Sequence, residues 1–372
     1  MTRVAIVGCG VVGAAIAYEL SAIAGLEITL LDRDEPVAGA TRAALGVLMG
    51  VISQKTKGRA WQLRQASLQR YETLIPELER LTGCPIPFNR QGLLRLCFEG
   101  ENFQQWEALR DVRRAGGWPL ELWDREQLRC NCPQVDCDRA IGAVYSPRDR
   151  QVHPAQLTEA FVTAAKMRGV QCRFGVKIQN LATTALPDAS LHRCERLELG
   201  DDTLEIDWLI VAAGLGSTPL VAELARSARV PSSCNIRPVL GQALHLQLPQ
   251  TLGKAEFQPV ISGDDVNLVP LGGGEYWVGA TVEFPDARGE AIADAAALER
   301  LWEDAIAFCP TLAKAKILKT WFGLRPRPQG RPAPIIEPLA GYGNVILATG
   351  HYRNGILLAP ATAQLMRQWI SV

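Results

Sequence analysis

Apolar residues run almost unbroken from Val4 to Leu26, with Tyr18, Glu19 and Ser21 as the strong interruptions. The length of that run would suit a membrane span, but Gly8, Gly10 and Gly13 fall early in it and Glu27 ends it. A short strand, a glycine turn, a helix to Leu20 and a second strand over residues 27–32 fit this pattern better than a bilayer helix. No integral membrane segment is therefore expected. A helical period follows over residues 60–81, with Leu63, Ala66, Leu74 and Leu78 on its apolar face. Between about residues 85 and 144 short strands such as 93–98 alternate with polar helices and several Trp residues, which predicts an α+β insertion with its own core.

Residues 155–168 read as another helix, and residues 170–178 with a hairpin region to about Ile206 read as strands returning to the first domain. Residues 207–213 are apolar and end at Gly214. Residues 238–322 carry strands at 243–246 and 276–281 and a helix at 296–308. An apolar strand over 344–349 then runs through the turn 350–355 into a closing helix over 356–366. The fold class expected is α/β: a Rossmann-like dinucleotide-binding domain from residues 1–84, 145–232 and 323–372, with a second α+β substrate domain containing an antiparallel sheet from 85–144 and 233–322.

Composition narrows the partners. The 372 residues hold 39 basic and 39 acidic side chains, so nothing electrostatic favours nucleic acid or an anionic membrane, and a small molecule is the expected ligand. The first strand starts near Arg3, where a secretory signal would need room, and the ten cysteines are scattered, so a cytoplasmic protein with reduced thiols is expected. Cys130, Cys132 and Cys137 lie close together but lack the second pair that a structural zinc site needs, and no metal is expected.

Three strand ends carry candidate chemistry. In the first, Gly8 permits a tight turn, Gly10 lets backbone approach a pyrophosphate, and Gly13 lets helix and strand pack closely; Asp32 at the end of the second strand can accept hydrogen bonds from ribose hydroxyls. The second ends at Ala213-Gly214. The third is Gly350-His351-Tyr352-Arg353-Asn354-Gly355 leading into Ile356-Leu357, a helix start whose unpaired N–H groups suit the negative charge that collects on a reduced flavin ring. The small-residue loop 38–48 shows neither period and could lay backbone along phosphates. Arg325, placed just before the chain returns to the nucleotide domain, offers a planar fork for a substrate carboxylate in an interdomain cleft. An ordinary ion pair is the competing reading for it.

With these segments, the loop Ala43-Ala44-Leu45-Gly46 and the strand Ile210-Val211-Ala212-Ala213-Gly214, the chain resembles the FAD-dependent D-amino acid oxidase superfamily over essentially its whole length. Within it the likeness is strongest to the glycine oxidases of thiazole biosynthesis. The resemblance implies non-covalent FAD, with ribose at Asp32 and Arg33, pyrophosphate at Val11 and Val12, further contacts at Ala40, Thr41, Leu45, Gly46 and Val47, adenine near Val176, and the flavin's pyrimidine edge at His351 through Leu357. It implies Arg325 on the substrate carboxylate and Arg353 beside flavin and substrate. The implied reaction is oxidation of an amino acid or amine by hydride transfer to the flavin, hydrolysis of the imine to a 2-oxo acid and ammonia, and reoxidation by O2 with formation of hydrogen peroxide. A role in thiazole supply for thiamine and a homo-oligomer are further implications. One segment departs from the pattern: residues 267–271 read Asn-Leu-Val-Pro-Leu where glycine oxidases carry Tyr-Ile-Val-Pro-Arg, so Asn267 makes glycine doubtful and a larger amine or another electron acceptor credible.

Overall fold

The computed structural model describes residues 1–186 and 191–370. Its first sheet has six strands in the order Ile335–Pro338, Val345–Thr349, Trp208–Val211, Thr2–Val7, Leu26–Leu31 and Gln171–Arg173, parallel apart from the first pair. The central strands are apolar runs with no alternation because both faces are covered. Helices Val11–Leu20, Gly58–Thr82, Pro154–Met167 and Gly355–Ile370 share one core with Ile6, Ile16, Tyr18 and Ile346, while Val7, Leu209 and Val211 pack the other way, against Val221 and Leu224 of Ser217–Ser227. The run Val4 to Leu26 is thus strand, turn, helix and the start of a strand, and no helix among the described residues is long and apolar enough to cross a membrane.

The second sheet has eight strands in the order Lys316–Pro328, Ile236–Gln247, Glu275–Gly279, Val266–Gly272, Val260–Gly263, Leu93–Phe98, Ala140–Ser146 and Glu121–Asp124. It is antiparallel except where Val260–Gly263 meets Leu93–Phe98. Leu244, Leu246, Val278 and Leu268 point to the face covered by the helix Ala295–Phe308, through Leu301, Ala305 and Phe308.

Three expectations are corrected here. Residues 85–144 do not have their own core: Leu94, Leu96 and Trp123 share one with Leu244 and Phe308, because the edge of Val260–Gly263 pairs with Leu93–Phe98. The loop 38–48 holds a helical turn, Ala40–Ala43, and a short strand, Val47–Leu48. The hairpin region ending at Ile206 is a three-stranded antiparallel sheet of Asn180–Ala185, His192–Leu199 and Asp202–Glu205, with residues 187–190 outside those described. The strand carrying Arg325 stays paired with Ile236–Gln247 as far as Pro328, so a junction at 323 would cut a strand, and we propose placing it after Pro328.

The segment after Leu48 is gripped from two sides. Arg113, 1% exposed, donates from Nε to Val51 O at 2.7 Å and from Nη2 to Ser53 O and Lys55 O at 2.8 and 2.9 Å, and its guanidinium lies 3.5 Å from the centre of the Trp61 ring. The buried Asp149 accepts from the amides of Gly50, Val51 and Ile52 at 2.7 to 2.9 Å. Burial lowers the Arg113 pKa to about 10, which leaves it charged at neutral pH. Arg113→Ala removes three hydrogen bonds and opens a void, so it is expected to lower unfolding stability by roughly 3 kcal/mol. A fall in the urea midpoint at unchanged m-value checks this; an unaltered midpoint would contradict it.

Candidate active site

Between the two sheets lies a cleft of about 1190 Å³. That exceeds the roughly 300–1,000 Å³ of ordinary small-molecule pockets and leaves room for an extended ligand beside a small one. Its nucleotide-sheet half is built at strand ends. Gly8 has φ +109°, and a Cβ there would stand 2.5 Å from Ala212 O; a Cβ on Gly13 would stand 1.8 Å from Gly8 O. Both positions exclude a side chain, and the close approach brings the start of Val11–Leu20 to the cleft without a side-chain cap. The amide of Val11 donates to Thr41 Oγ1 at 3.1 Å, which ties the helix start to the following loop.

Asp32 follows its strand. One carboxylate oxygen accepts from Cys9 N at 2.5 Å and the other from Asp34 N at 3.0 Å, so the backbone fixes its orientation at the cleft wall. Gly10, Val12, Arg33, Ala40, Leu45, Gly46, Val47 and Gly214 also line the cleft. Gly13 and Val176 do not: Gly13 serves the packing just described, and Val176 donates its amide to Asp32 O at 3.0 Å, behind the wall.

At the third strand end, Val345–Thr349 passes through Gly350 and a short 3₁₀ turn, Tyr352–Asn354, into Gly355–Ile370. Tyr352 adopts φ +54°, a left-handed conformation that costs a residue with a side chain about 1 kcal/mol or more and that concentrates at functional sites. His351, Tyr352, Arg353, Gly355 and Ile356 face the cleft, whereas Asn354 and Leu357 do not. His351 is 3% exposed, its Nε2 is 3.0 Å from Thr362 Oγ1, and burial lowers its pKa to about 4. It is therefore neutral in the fold. The unfolded chain takes up this proton first as pH falls below about 6.5, so the fold loses about 2 kcal/mol between pH 7 and pH 5, and the loss levels off below about pH 4. Urea titrations at the two pH values test this, and His351→Gln should flatten the difference.

The other half of the cleft is one face of the large sheet. Register places Arg325, Gly323 and Trp321 opposite Val239, Gly241 and Ala243, then Gly279 and Trp277 opposite Ala243 and His245, and Asn267 opposite Gly279. Alternation thus gives a floor of small residues walled by large ones. The Arg325 guanidinium crosses that floor, and a Cβ on Gly241 would stand 2.1 Å from its Nη2. Nη1 donates to Leu240 O at 3.0 Å and Thr281 O at 2.9 Å. Among the described residues Nε and Nη2 make no hydrogen bond and no carboxylate lies within ion-pair distance of Arg325, so the fork's remaining donors face the cleft. Burial, and next the charge of Arg353, hold the Arg325 pKa below its ordinary value. Arg353 is exposed, 5.6 Å from the Tyr352 ring centre.

Asn267 donates from Nδ2 to Gly279 O at 3.3 Å, and its buried Oδ1 has no hydrogen-bond partner among the described residues. Trp277 contacts Trp321 at 5.8 Å and His153 at 5.2 Å between ring centres, and Trp321 Nε1 donates to Ala43 O at 3.1 Å, closing the large sheet onto the nucleotide loop. His245 Nε2 lies 2.8 Å from Glu275 Oε2 on the same wall. Sequence reading missed Gly241, Trp277, Trp321, His245 and Glu275 as site residues. The signal that could have found some of them is period-two spacing: Trp321, Gly323 and Arg325 share a strand face.

The glycine-mediated close packing, the helix start whose N-cap Gly10 carries no side chain, the backbone-oriented Asp32 and the second helix start at Gly355 fit an FAD molecule, whose pyrophosphate and ribose need amides and an acceptor there. Comparison with known proteins agrees. The chain belongs to the FAD dependent oxidoreductase family, which it matches over residues 3–369. It is 33% identical over 374 residues to the bifunctional protein ThiO/ThiG of Synechocystis sp., covering 99% of this chain and 51% of that protein, so the chain spans about half the length of that relative. It is 28% identical over 373 residues to the glycine oxidase of Bacillus licheniformis, covering 98% and 92%. The crystal structure of glycine oxidase from Geobacillus kaustophilus superposes with a TM-score of 0.84 at 25% identity, covering 99% and 94% of the two chains. The chain is thus a member of the FAD dependent oxidoreductase family that is similar to glycine oxidases and to the ThiO/ThiG protein.

Proposed function

We propose that the chain oxidises a small amino acid at its α-carbon, releasing a 2-oxo acid and ammonia, with O2 as the electron acceptor and hydrogen peroxide as its product. The observation that carries this reading is the Arg325 fork, charged, half-buried and with Nε and Nη2 turned to the cleft. A guanidinium held by one nitrogen keeps two parallel donors for a carboxylate, and such pairs fix orientation as well as position.

FAD, when bound, supplies the acceptor for the two electrons and the hydrogen taken from the substrate's α-carbon. The chain's own residues bind, orient and exclude water. Val11, Val12, Asp32 and the loop 40–47 would hold the nucleotide end, and the turn at His351 to Ile356 the flavin end. Arg325 would fix the substrate carboxylate, and Arg353 adds positive charge at the same mouth. The floor of Gly241, Ala243, Gly279 and Gly323, with Trp277 and Trp321 as walls, supports a dry chamber in which an uncharged amine is not rehydrated. Support for a small amino acid as substrate also comes from the glycine oxidases that this chain is similar to.

Asn267 bears on which amino acid. Its short side chain with an unpartnered acceptor suits a substrate longer than glycine. Asn267→Tyr is expected to shift the kcat/KM ratio of glycine over a larger D-amino acid by about tenfold towards glycine, since the added ring fills the chamber. Parallel steady-state assays test it, and an unchanged ratio would remove Asn267 from the specificity account. Gly241→Ala provides a check on the carboxylate site: the added methyl collides with Nη2, so KM should rise at least about tenfold while flavin content stays full. An unaltered KM would mean that the fork does not hold substrate in this position.

A further inference from the structure

The large sheet fixes Arg325 through a carboxylate that does not touch it. Arg325 Nη1 is held by two carbonyl oxygens, those of Leu240 and Thr281. Both belong to a network centred on Glu283. The Glu283 amide donates to Leu240 O at 3.0 Å, and the Leu240 amide donates back to Glu283 O at 2.9 Å. Thr281 Oγ1 accepts from Gln242 N at 2.8 Å, which directs its own proton to Glu283 Oε1. Gln242 Nε2 donates to the same oxygen at 3.0 Å and to Asp294 O at 2.7 Å. The Asp294 amide donates to Glu283 Oε2 at 2.8 Å, and the Asp294 side chain caps the helix Ala295–Phe308 by accepting from Ala296 N at 3.0 Å.

We infer that Glu283 is a positioning residue for substrate binding: its carboxylate holds the hydroxyl of Thr281, whose carbonyl orients Arg325, its amide bonds the second carbonyl, Leu240 O, and it supplies a nearby negative charge without consuming the fork. This rests on the reading that Arg325 receives a carboxylate. A carboxylate paired directly with Arg325 would occupy the donors a substrate needs. Set back behind Thr281 and Gln242, Glu283 offsets part of the buried positive charge and leaves Nε and Nη2 available. The arrangement requires an acceptor at both carboxylate oxygens, because three donors converge on them. Glutamine would turn its NH2 against one of those donors, so Glu283→Gln breaks the network although it matches the shape.

The probe is acetate, a carboxylate with no amine, titrated into the flavin-loaded enzyme and followed by the shift in flavin absorption. In Glu283→Gln the acetate Kd is expected to rise about tenfold, with KM for the amino acid rising by a similar factor and kcat within about twofold of wild type. Thr281→Val, which deletes the hydroxyl bridge, should act in the same direction, and Thr281→Ser should restore acetate binding; this pair carries the test if Glu283→Gln does not fold. An unchanged acetate Kd in the Glu283 and Thr281→Val variants, beside a lost one in Arg325→Ala, overturns the role of Glu283. Acetate binding that survives Arg325→Ala overturns the Arg325 reading itself, and this inference with it.

Discussion

Arg325→Ala is expected to raise the KM for an amino acid substrate by about a hundredfold or more, while the purified variant keeps its full complement of flavin. The size follows from the bonding. Hydrogen bonds between charged partners contribute about 1.5–3 kcal/mol each, and a bidentate pair in a half-buried cleft makes two of them. Solvent reaching the emptied site restores part of that loss, which is why about a hundredfold, near 2.7 kcal/mol, is the expected floor. Flavin should be retained because Arg325 belongs to the large sheet, whereas the proposed nucleotide contacts come from the parallel sheet and its loops. Arg325→Lys should recover little, since an ammonium on Arg325's backbone position cannot both bond Leu240 O and Thr281 O and present two parallel donors. Steady-state kinetics with a flavin-to-protein absorbance ratio separates these effects, and an unaltered KM would sink the assignment.

Gly13→Ala should abolish flavin binding. The new methyl would sit 1.8 Å from Gly8 O, inside any allowed contact, and its neighbours are backbone that cannot rotate away. Either the helix Val11–Leu20 withdraws from the strand Thr2–Val7, or Gly8 moves into Ala212 and Ala213, and both shifts displace the turn proposed to meet the pyrophosphate. The expected product is a colourless protein with a stability loss of roughly 3 kcal/mol or more. Gly116→Ala is the matched control: its nearest contact would be 3.5 Å, it caps the C-terminal end of the helix Phe103–Ala115 and does not line the cleft, and it should stay yellow. A yellow Gly13→Ala protein of normal stability would contradict the close packing described above.

How much of this was legible in the sequence depended on whether the determinants are local. The fingerprint around Gly8, Gly10 and Gly13, the acid at Asp32 and the strand-to-helix turn at Gly350 are each written within about thirty residues, as one supersecondary unit. Arg325 could be nominated because it stands near an expected domain junction, although Arg327 and Arg331 lie close by in sequence. What the sequence did not reveal depends on register between distant strands. Residues 85–144 look self-contained, yet they extend the large sheet through one parallel pairing, which no periodicity encodes. The floor of the chamber appears only when Gly323, Gly241 with Ala243, and Gly279 come from three strands into neighbouring places. Glu283 resembled any other acid until Thr281, Gln242 and Asp294 were brought around it. The junction proposed after Pro328 differs from the expected one at 323 for a related reason: Arg325 marks a candidate site, and the strand that carries it runs on to Pro328.

The central claim is that a small amino acid, held by its carboxylate at Arg325, gives up its α-hydrogen and two electrons in this cleft. Anaerobic mixing of the flavin-loaded protein with glycine, sarcosine and small D-amino acids, each matched to the corresponding amine without a carboxylate, tests it most directly. The expected result is rapid loss of the yellow absorption band with at least one of the amino acids, little or none with its decarboxylated counterpart, and hydrogen peroxide on readmission of air. A band that persists with every amino acid, or bleaches equally well without the carboxylate, would contradict it.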